Sequence, residues 1–173
     1  MVLAKPLRKF VTCSLLGLLL GAGIGFAAGH AWANRRTLPA VIAVTLAEAG
    51  LAFQARLDSG AVVSSINAHE LKVLDAAGPP AGRDTGKMIS FVVINERGER
   101  RRLTAQIAQV RGIRSADCRE IRYHVYLTVQ FRGKDYRVLT NLNDRSQAGE
   151  LLLLGRNWLR NGFAVAARGA PEI

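Results

Sequence analysis

Cysteine, histidine and acidic residues are scarce in this chain of 173 residues, which has 2 cysteines, 3 histidines and 13 Asp or Glu residues. Cys13 lies inside a long apolar run near the N-terminus, so we do not expect an intramolecular disulfide with Cys118. Cys118 is therefore expected to be a free thiol or an intermolecular one. Two cysteines in these positions give no metal-binding signature.

Motifs for zinc and for nucleotide phosphates are also missing. His69-Glu70 comes closest to the H-E-x-x-H motif of zinc peptidases, but Val73 stands where the second histidine would lie. No G-x-x-x-x-G-K-[ST] phosphate loop is found, and the Gly-rich stretch at 21–25 lies within the apolar run. The spacing offers no Ser-His-Asp or Cys-His pair either. The sequence thus predicts no metal site and no cofactor.

The shortage of acidic residues leaves 24 Lys or Arg and a formal net charge of +11. Lys5, Arg8 and Lys9 precede the apolar run, and the rest of the chain keeps a charge of +8 without them. A basic surface suits an acidic partner such as anionic lipid, an acidic peptide or nucleic acid. However, the arginines are scattered, and no recognition helix or base-stacking motif accompanies them. We therefore expect no nucleic-acid partner and interpret the charge as a basic surface near a membrane.

Residues 10–28 carry no charge, and the run approaches the roughly 20 residues needed to span a bilayer. With its basic flank, the segment predicts a single-pass helix in a bacterial inner membrane, followed by a periplasmic domain. Ala31-Trp32-Ala33 is an A-x-A site, so the alternative is a signal sequence cleaved after Ala33 and release to the periplasm. We divide the chain into a cytoplasmic tip with anchor or signal (1–33), a linker (34–39) and one domain (40–173).

Alternation of apolar and polar residues predicts that this domain is mostly β. The clearest case is 121–131, where every second residue is apolar, as in a half-buried antiparallel strand. Asn67 and Glu70 have capping-box spacing and predict a short helix ending at Leu74, with another helical turn after Gly155. The expected fold class is all-β, a small closed barrel with one or two short helices. The other expected strands are 40–46, 51–57, 61–66, 88–94, 101–110, 136–142, 151–154 and 163–167.

Two motifs lie nearly a hundred residues apart. Leu57-Asp58-Ser59-Gly60-Ala61 is flanked by apolar strands, whereas Asp-Ser-Gly in an ordinary surface turn has polar neighbours. The apolar run Leu151 to Leu154 ends in Gly155-Arg156-Asn157. In this order and at this separation, the two motifs resemble those of retropepsin-like aspartic peptidases. These enzymes carry an Asp-Thr/Ser-Gly-Ala loop early in the chain and an apolar run ending in Gly-Arg-Asn/Asp late.

The resemblance extends to a bacterial family usually labelled ATP-dependent zinc proteases, or retropepsin-like proteins associated with the RimK ligase. It covers about residues 41–165, essentially the whole predicted domain. The matching blocks are Ala55 to Ala61 with Ser64 to Ala68, Val110 to Ser115 with Arg122-Tyr123, and Asn141 to Ser146 leading into Leu153 to Arg156.

This resemblance implies an aspartic endopeptidase that hydrolyses peptide bonds with Asp58 as its catalytic residue and an activated water. Ser59, Gly60 and Ala61 would support the active-site loop, and Gly155, Arg156 and Asn157 would form its structural partner motif. The chain has one Asp-Ser-Gly, while the chemistry needs two carboxylates. We therefore expect a homodimer with Asp58 from each subunit and a peptide or protein as substrate. The candidate flap over the substrate is the predicted hairpin formed by Asn95, Glu96, Arg97 and Gly98.

Two positions next to the predicted catalytic loop depart from the family. Val62 and Val63 stand where family members usually have a basic residue and Thr. Retroviral relatives have an acid at the position of Val62 that pairs with the late arginine, so Arg156 needs another partner, for which Asp144 is the candidate. Asn67 stands where a His is common. These departures keep open an alternative function, that of a catalytically inactive retropepsin-fold module that binds a peptide or a cell-envelope ligand.

Overall fold

The computed structural model describes residues 35–74, 82–114 and 119–166. The chain divides into two compact units, residues 1–36 and 37–173, and the described residues belong to the second apart from Arg35 and Arg36. The predicted anchor at 10–28, the A-x-A site and both cysteines lie outside the described residues. Across the three described ranges, no helix has the length and apolar character needed to cross a membrane.

The described residues form ten strands and two short helical segments, so the expected all-β class is confirmed. A 3-10 helix at Gly82–Asp84 and helix α1 at Arg156–Leu159 are the helical segments. The strands are β1 (Arg36–Leu38), β2 (Val41–Leu46), β3 (Leu51–Leu57), β4 (Ser64–Val73), β5 (Met88–Ile94), β6 (Arg100–Arg114), β7 (Arg119–Phe131), β8 (Lys134–Asn143), β9 (Leu152–Leu154) and β10 (Phe163–Val165).

Eight of these strands form one sheet in the order β2-β3-β9-β4-β5-β6-β7-β8, with further pairings of β2 to β7 and β4 to β8. The hairpins β2–β3, β5–β6 and β7–β8 are antiparallel, whereas β3–β9 and β4–β8 are parallel. In the β7–β8 turn, Gly133 has φ +72, a conformation that residues with a side chain rarely adopt. β1 pairs with β10, so the predicted linker at 34–39 contains a strand.

The hydrophobic core is formed by apolar side chains at alternate positions along the strands. On β3, Leu51, Phe53, Ala55 and Leu57 are buried, while the residues between them are exposed. β7 buries every second residue from Tyr123 to Val129, as its alternating sequence predicts, and it also buries His124 between them. Trp158 of α1 is fully buried and stacks on Phe163 with a ring-centroid distance of 4.6 Å. This stacking fixes α1, and therefore the Gly155 turn before it, against the hydrophobic core.

The helix predicted from Asn67 to Leu74 is wrong, because this segment belongs to β4. Ser64 to Asn67 pair with 140–143 of β8, and Ser65 and Ile66 also pair with β9. The Asn67 side chain accepts a hydrogen bond from the Arg145 N–H at 2.8 Å instead of capping a helix. Glu70 has φ +53 at a break in the β4–β5 register. Pairing with strands distant in sequence outweighs the local capping signal, and 61–63 form a loop before the strand begins.

Candidate active site

The parallel pairing of β3 with β9 brings the two predicted motifs together. Leu57 is the register partner of Leu154, so both strands end at the same edge of the sheet. The Asp58 N–H donates to the Leu154 carbonyl at 3.0 Å and continues the ladder by one residue. Asp58 and Gly155 therefore leave the sheet side by side.

The Asp58 carboxylate is half-buried and held by its own loop. Its Oδ1 accepts hydrogen bonds from the Gly60 N–H at 2.8 Å and the Ala61 N–H at 3.3 Å. A Cβ at Gly60 would lie 3.1 Å from Oδ1, so glycine allows this close approach. Oδ2 accepts no hydrogen bond from the residues that the structure describes. The loop thus fixes one oxygen and leaves the other available for a proton, a water or a second carboxylate.

Gly155 packs directly on the backbone of the Asp58 loop. A Cβ at this position would lie 2.8 Å from the Ala61 carbonyl oxygen and 3.0 Å from the carbonyl carbon and oxygen of Val63. The Arg156 N–H donates to the Ala61 carbonyl at 2.8 Å, and the Asn157 N–H donates to that of Val62 at 3.3 Å. The predicted partner motif therefore supports the loop mainly through backbone atoms.

Ser64 is the residue of this arrangement that sequence reasoning missed. Its hydroxyl donates to Asn157 Oδ1 at 2.9 Å and accepts the Gly155 N–H at 3.1 Å. The Ser64 N–H donates to the same Oδ1 at 3.0 Å, while Asn157 Nδ2 donates to the Leu139 carbonyl at 2.7 Å. Ser64 is fully buried, so these bonds are shielded from water. A small hydroxyl residue where the loop enters β4 is the only sequence signal for this role.

Arg156 does not pair with Asp144, which corrects that expectation. Its Nη1 donates to the Ser59 carbonyl at 3.3 Å, because Arg156 directly follows Gly155 and faces the loop. The Asp144 carboxylate instead accepts the Ser146 N–H at 2.9 Å, and the hydrogen bonds from Ser146 lower the pKa of Asp144. The Ser59 hydroxyl has no hydrogen-bond partner within the described residues.

A group of charges lies on the outer face of β3 and β9 near Asp58. Arg56 and Asp58 are two residues apart, and Arg56 Nη1 lies 3.6 Å from the Glu150 carboxylate. Arg145 Nη2 donates to the Glu150 carbonyl at 3.2 Å. Burial lowers the pKa of Arg145, while the carboxylates of Glu150 and Asp58 raise it. The half-buried guanidinium of Arg145 is thus within Coulombic range of the Asp58 carboxylate.

The structure does not bring the predicted flap at 95–98 to Asp58. The Glu96 carboxylate accepts the N–H groups of Gln54 in the middle of β3 at 3.2 Å and of Leu151, just before β9, at 3.1 Å. Asn95 is buried, and its Nδ2 donates to the Ala52 carbonyl at 2.9 Å. The hairpin is therefore bound at the opposite end of these strands from Asp58.

The His69-Glu70 pair does not fit a zinc site. Glu70 lies at the irregular position of β4, and its two carboxylate oxygens are engaged by Arg100 and Arg102. Within 35–74, 82–114 and 119–166, no three His, Cys, Asp or Glu residues are grouped so that they could hold a metal ion. The donor set thus disagrees with the zinc in the family label, and we derive no step through a metal.

Next to the Asp58 loop lies a cavity of about 440 Å³. The loop contributes one wall, and three neighbouring strands contribute the polar side chains of the others. The side chains that line it are those of Val62, Val63, Arg111, Arg122, His124 and Asn141.

The sequence matches no protein-family model and no curated protein. The structure is similar to the crystal structure of Lpg0085, a Legionella pneumophila protein with unknown function (DUF785), with a TM-score of 0.60. The two chains share a fold. The match covers 75% of this chain and 92% of Lpg0085 at 23% sequence identity. Similarity at this level concerns the architecture and carries no activity from one protein to the other.

Proposed function

We propose that the chain is a retropepsin-like aspartic endopeptidase that works as a homodimer. The observation that carries this proposal is the junction between the Asp58-Ser59-Gly60-Ala61 loop and Gly155-Arg156-Asn157. The junction joins the two motifs of the resemblance through the Ser64 hydrogen bonds and the backbone contact of Gly155. An ordinary surface turn would not need a buried network to fix a carboxylate.

The strand pairings support the finer description of the fold as a small closed barrel. They form a ring that runs β2-β3-β9-β4-β8-β7 and returns to β2, with Thr45 and Leu46 paired to Gln130 and Val129 at the closing step. Closure removes free strand edges around the ring. We further propose that 10–28 anchor this domain in a bacterial inner membrane with the domain in the periplasm.

One carboxylate is a weak acid and a weak base for amide hydrolysis, whereas two carboxylates about 3 Å apart share one proton and split their pKa values. In the dimer, Oδ1 of each Asp58 would stay bound to the Gly60 and Ala61 N–H groups. The ionised Asp58 would take a proton from the attacking water, while the protonated one would donate to the scissile carbonyl. The unpartnered Ser59 hydroxyl would hold the two loops together across the axis.

A non-catalytic module that binds a peptide or a cell-envelope ligand is the second candidate. The observation that favours it is the apolar side chain of Val62, which is 53% exposed beside the loop where retroviral relatives have an acid. An exposed apolar residue at the rim of a cavity suits binding as well as hydrolysis.

The test is cleavage of a peptide library by the full-length protein in detergent, from acidic to neutral pH, beside Asp58→Asn. Asp135→Asn is the matched control, because Asp135 lies near the start of β8 and accepts a hydrogen bond from Gln130. The proposal requires cleavage that Asp58→Asn abolishes, Asp135→Asn keeps and a chelator leaves unchanged. If both Asp58 side chains are needed, an equal amount of Asp58→Asn should lower the activity of freely exchanging wild type to about half.

Two outcomes oppose the proposal. Peptide binding by a folded, dimeric protein that cleaves nothing in the library would favour the binding module. Cleavage that survives Asp58→Asn would place the chemistry elsewhere in the chain.

A further inference from the structure

Two arginines face each other in the cavity beside the Asp58 loop. Arg111 of β6 is the register partner of Arg122 of β7, and both line the cavity. Both guanidinium groups line one cavity, and a pair of guanidinium groups with planar N–H donors is well shaped to bind a carboxylate.

Deeper in the same cavity lie two buried polar atoms without a partner. His124 is 4% exposed and Asn141 is 9% exposed, and they are register partners across β7 and β8. His124 Nδ1 and Asn141 Oδ1 find no hydrogen bond among the described residues. A buried polar atom without a hydrogen bond is destabilising, so a ligand donor that reached these atoms would be favoured.

These four residues form one continuous patch. Arg122 and His124 are two residues apart on β7 and so lie on the same face, with Arg111 on one side and Asn141 on the other. Val62 and Val63 of the loop line the same cavity. Two cations and a buried acceptor in one cavity match an anionic group with an N–H donor close to it.

We propose that this cavity is a binding site for a peptide carboxylate, in which Arg111 and Arg122 bind the carboxylate and Asn141 Oδ1 accepts the neighbouring amide N–H. Burial and the charge of Arg111 lower the pKa of His124, which keeps its imidazole neutral near pH 7 and leaves Nδ1 able to accept or donate. A C-terminal carboxylate and an acidic side chain both offer this chemistry. Val62 and Val63 line the cavity and follow Asp58 closely in the chain, so the cavity would also serve as a substrate subsite beside Asp58. This further role rests on the proposed function.

Binding can be measured by calorimetry on the full-length protein in detergent, with small probes that separate the parts of the ligand. N-acetylglycine carries the carboxylate and the N–H, N-acetylglycinamide lacks the charge, and acetate lacks the N–H. N-acetylaspartate α-amide carries its carboxylate on the side chain. One of the two complete probes should bind saturably: N-acetylglycine if the site takes a C-terminal carboxylate, or N-acetylaspartate α-amide if it takes an acidic side chain. N-acetylglycinamide and acetate, the incomplete probes, should bind at least about tenfold more weakly.

Arg111→Gln should weaken binding of that complete probe at least about tenfold, because Arg111 contributes one of the two guanidinium groups. Arg100→Gln is the matched control, since Arg100 is also exposed on β6 but pairs with Glu70. The readout is binding and not cleavage, so the measurement reports the site whether or not the chain hydrolyses peptides. No saturable binding of either complete probe, or equal binding by Arg111→Gln, would overturn the proposal. Acetate binding as tightly as the complete probe would overturn the part assigned to Asn141.

Discussion

A single methyl group at Gly155 tests how closely the two segments of the site must pack. In Gly155→Ala the added Cβ would lie 2.8 Å from the Ala61 carbonyl oxygen and 3.0 Å from two carbonyl atoms of Val63. All three are backbone atoms, so no flexible side chain can move aside. The loop that carries Asp58 must shift instead, and it would weaken the hydrogen bonds that its carbonyls accept from Arg156 and Asn157.

The expected loss can be worked from these contacts. Overpacking by one methyl group in a tightly packed region costs about 1–3 kcal/mol. Weakening of the two backbone hydrogen bonds would add about 0.5–1.5 kcal/mol for each. We therefore expect Gly155→Ala to lower the free energy of unfolding by about 2–6 kcal/mol, and to lower kcat/KM further than the loss of folded protein explains. A shift of the loop displaces Asp58 itself, which is why activity should suffer more.

Urea denaturation followed by tryptophan fluorescence measures the first quantity, and cleavage at a temperature where both proteins are folded measures the second. Gly149→Ala is the matched control, because a Cβ there meets nothing within 4 Å and its φ is not in the left-handed region. If Gly155→Ala unfolds at the same urea concentration as Gly149→Ala and cleaves equally well, the close packing argued here does not govern the site.

Three further perturbations probe other parts of the domain. Ser64→Ala should cost about 1–3 kcal/mol in urea denaturation because it orphans buried partners, whereas Ser65→Ala, whose buried hydroxyl has no partner among the described residues, should cost less. Because burial lowers the pKa of His124, the unfolded chain takes up its proton first, near pH 6.5. The stability that His124 contributes should therefore be complete above that pH and be lost as the pH falls through the lowered pKa of the folded state, and His124→Gln should flatten this dependence. Asn95→Ala should lower the free energy of unfolding by about 1–3 kcal/mol, because it removes the buried hydrogen bond from the 95–98 hairpin to the Ala52 carbonyl. It should leave KM for peptides within about twofold.

Each of these has a result that would contradict it. Equal losses from the two serine substitutions would remove the special role of Ser64. An unchanged pH dependence in His124→Gln would assign the titration to another group. A large rise of KM in Asn95→Ala would return the 95–98 hairpin to the role of a flap.

The strands with strict alternation could be predicted from the sequence, because a strand with one buried face has an apolar residue at every second position. Tyr123 to Val129 and Leu51 to Leu57 are examples. The placement of Asp58 beside Gly155 could be expected from the resemblance alone, since nothing local in either motif encodes the parallel pairing.

Other features depend on partners that sequence position does not reveal. Asn67 has a capping signal, but its neighbours in space come from 143 and 151, so pairing decides its conformation. Ser64 has an ordinary local context, and its role is set by Asn157, 93 residues away. The Arg111–Arg122 pair requires the register of a long hairpin, which one shifted residue would abolish.

The position of β9 also has a consequence for the order in which the molecule can assemble. β9 lies between β3 and β4 in the sheet, although it begins 79 residues after β4 ends and 95 residues after β3 ends. Before residues 152–154 are synthesised, the edge of β3 that faces this position has no strand to pair with, and such edges invite association with other chains. Contacts this distant in sequence also form slowly. The Asp58 loop therefore stays unsupported until residues 152–157 have been synthesised, and the proposed peptidase would have no organised carboxylate before then.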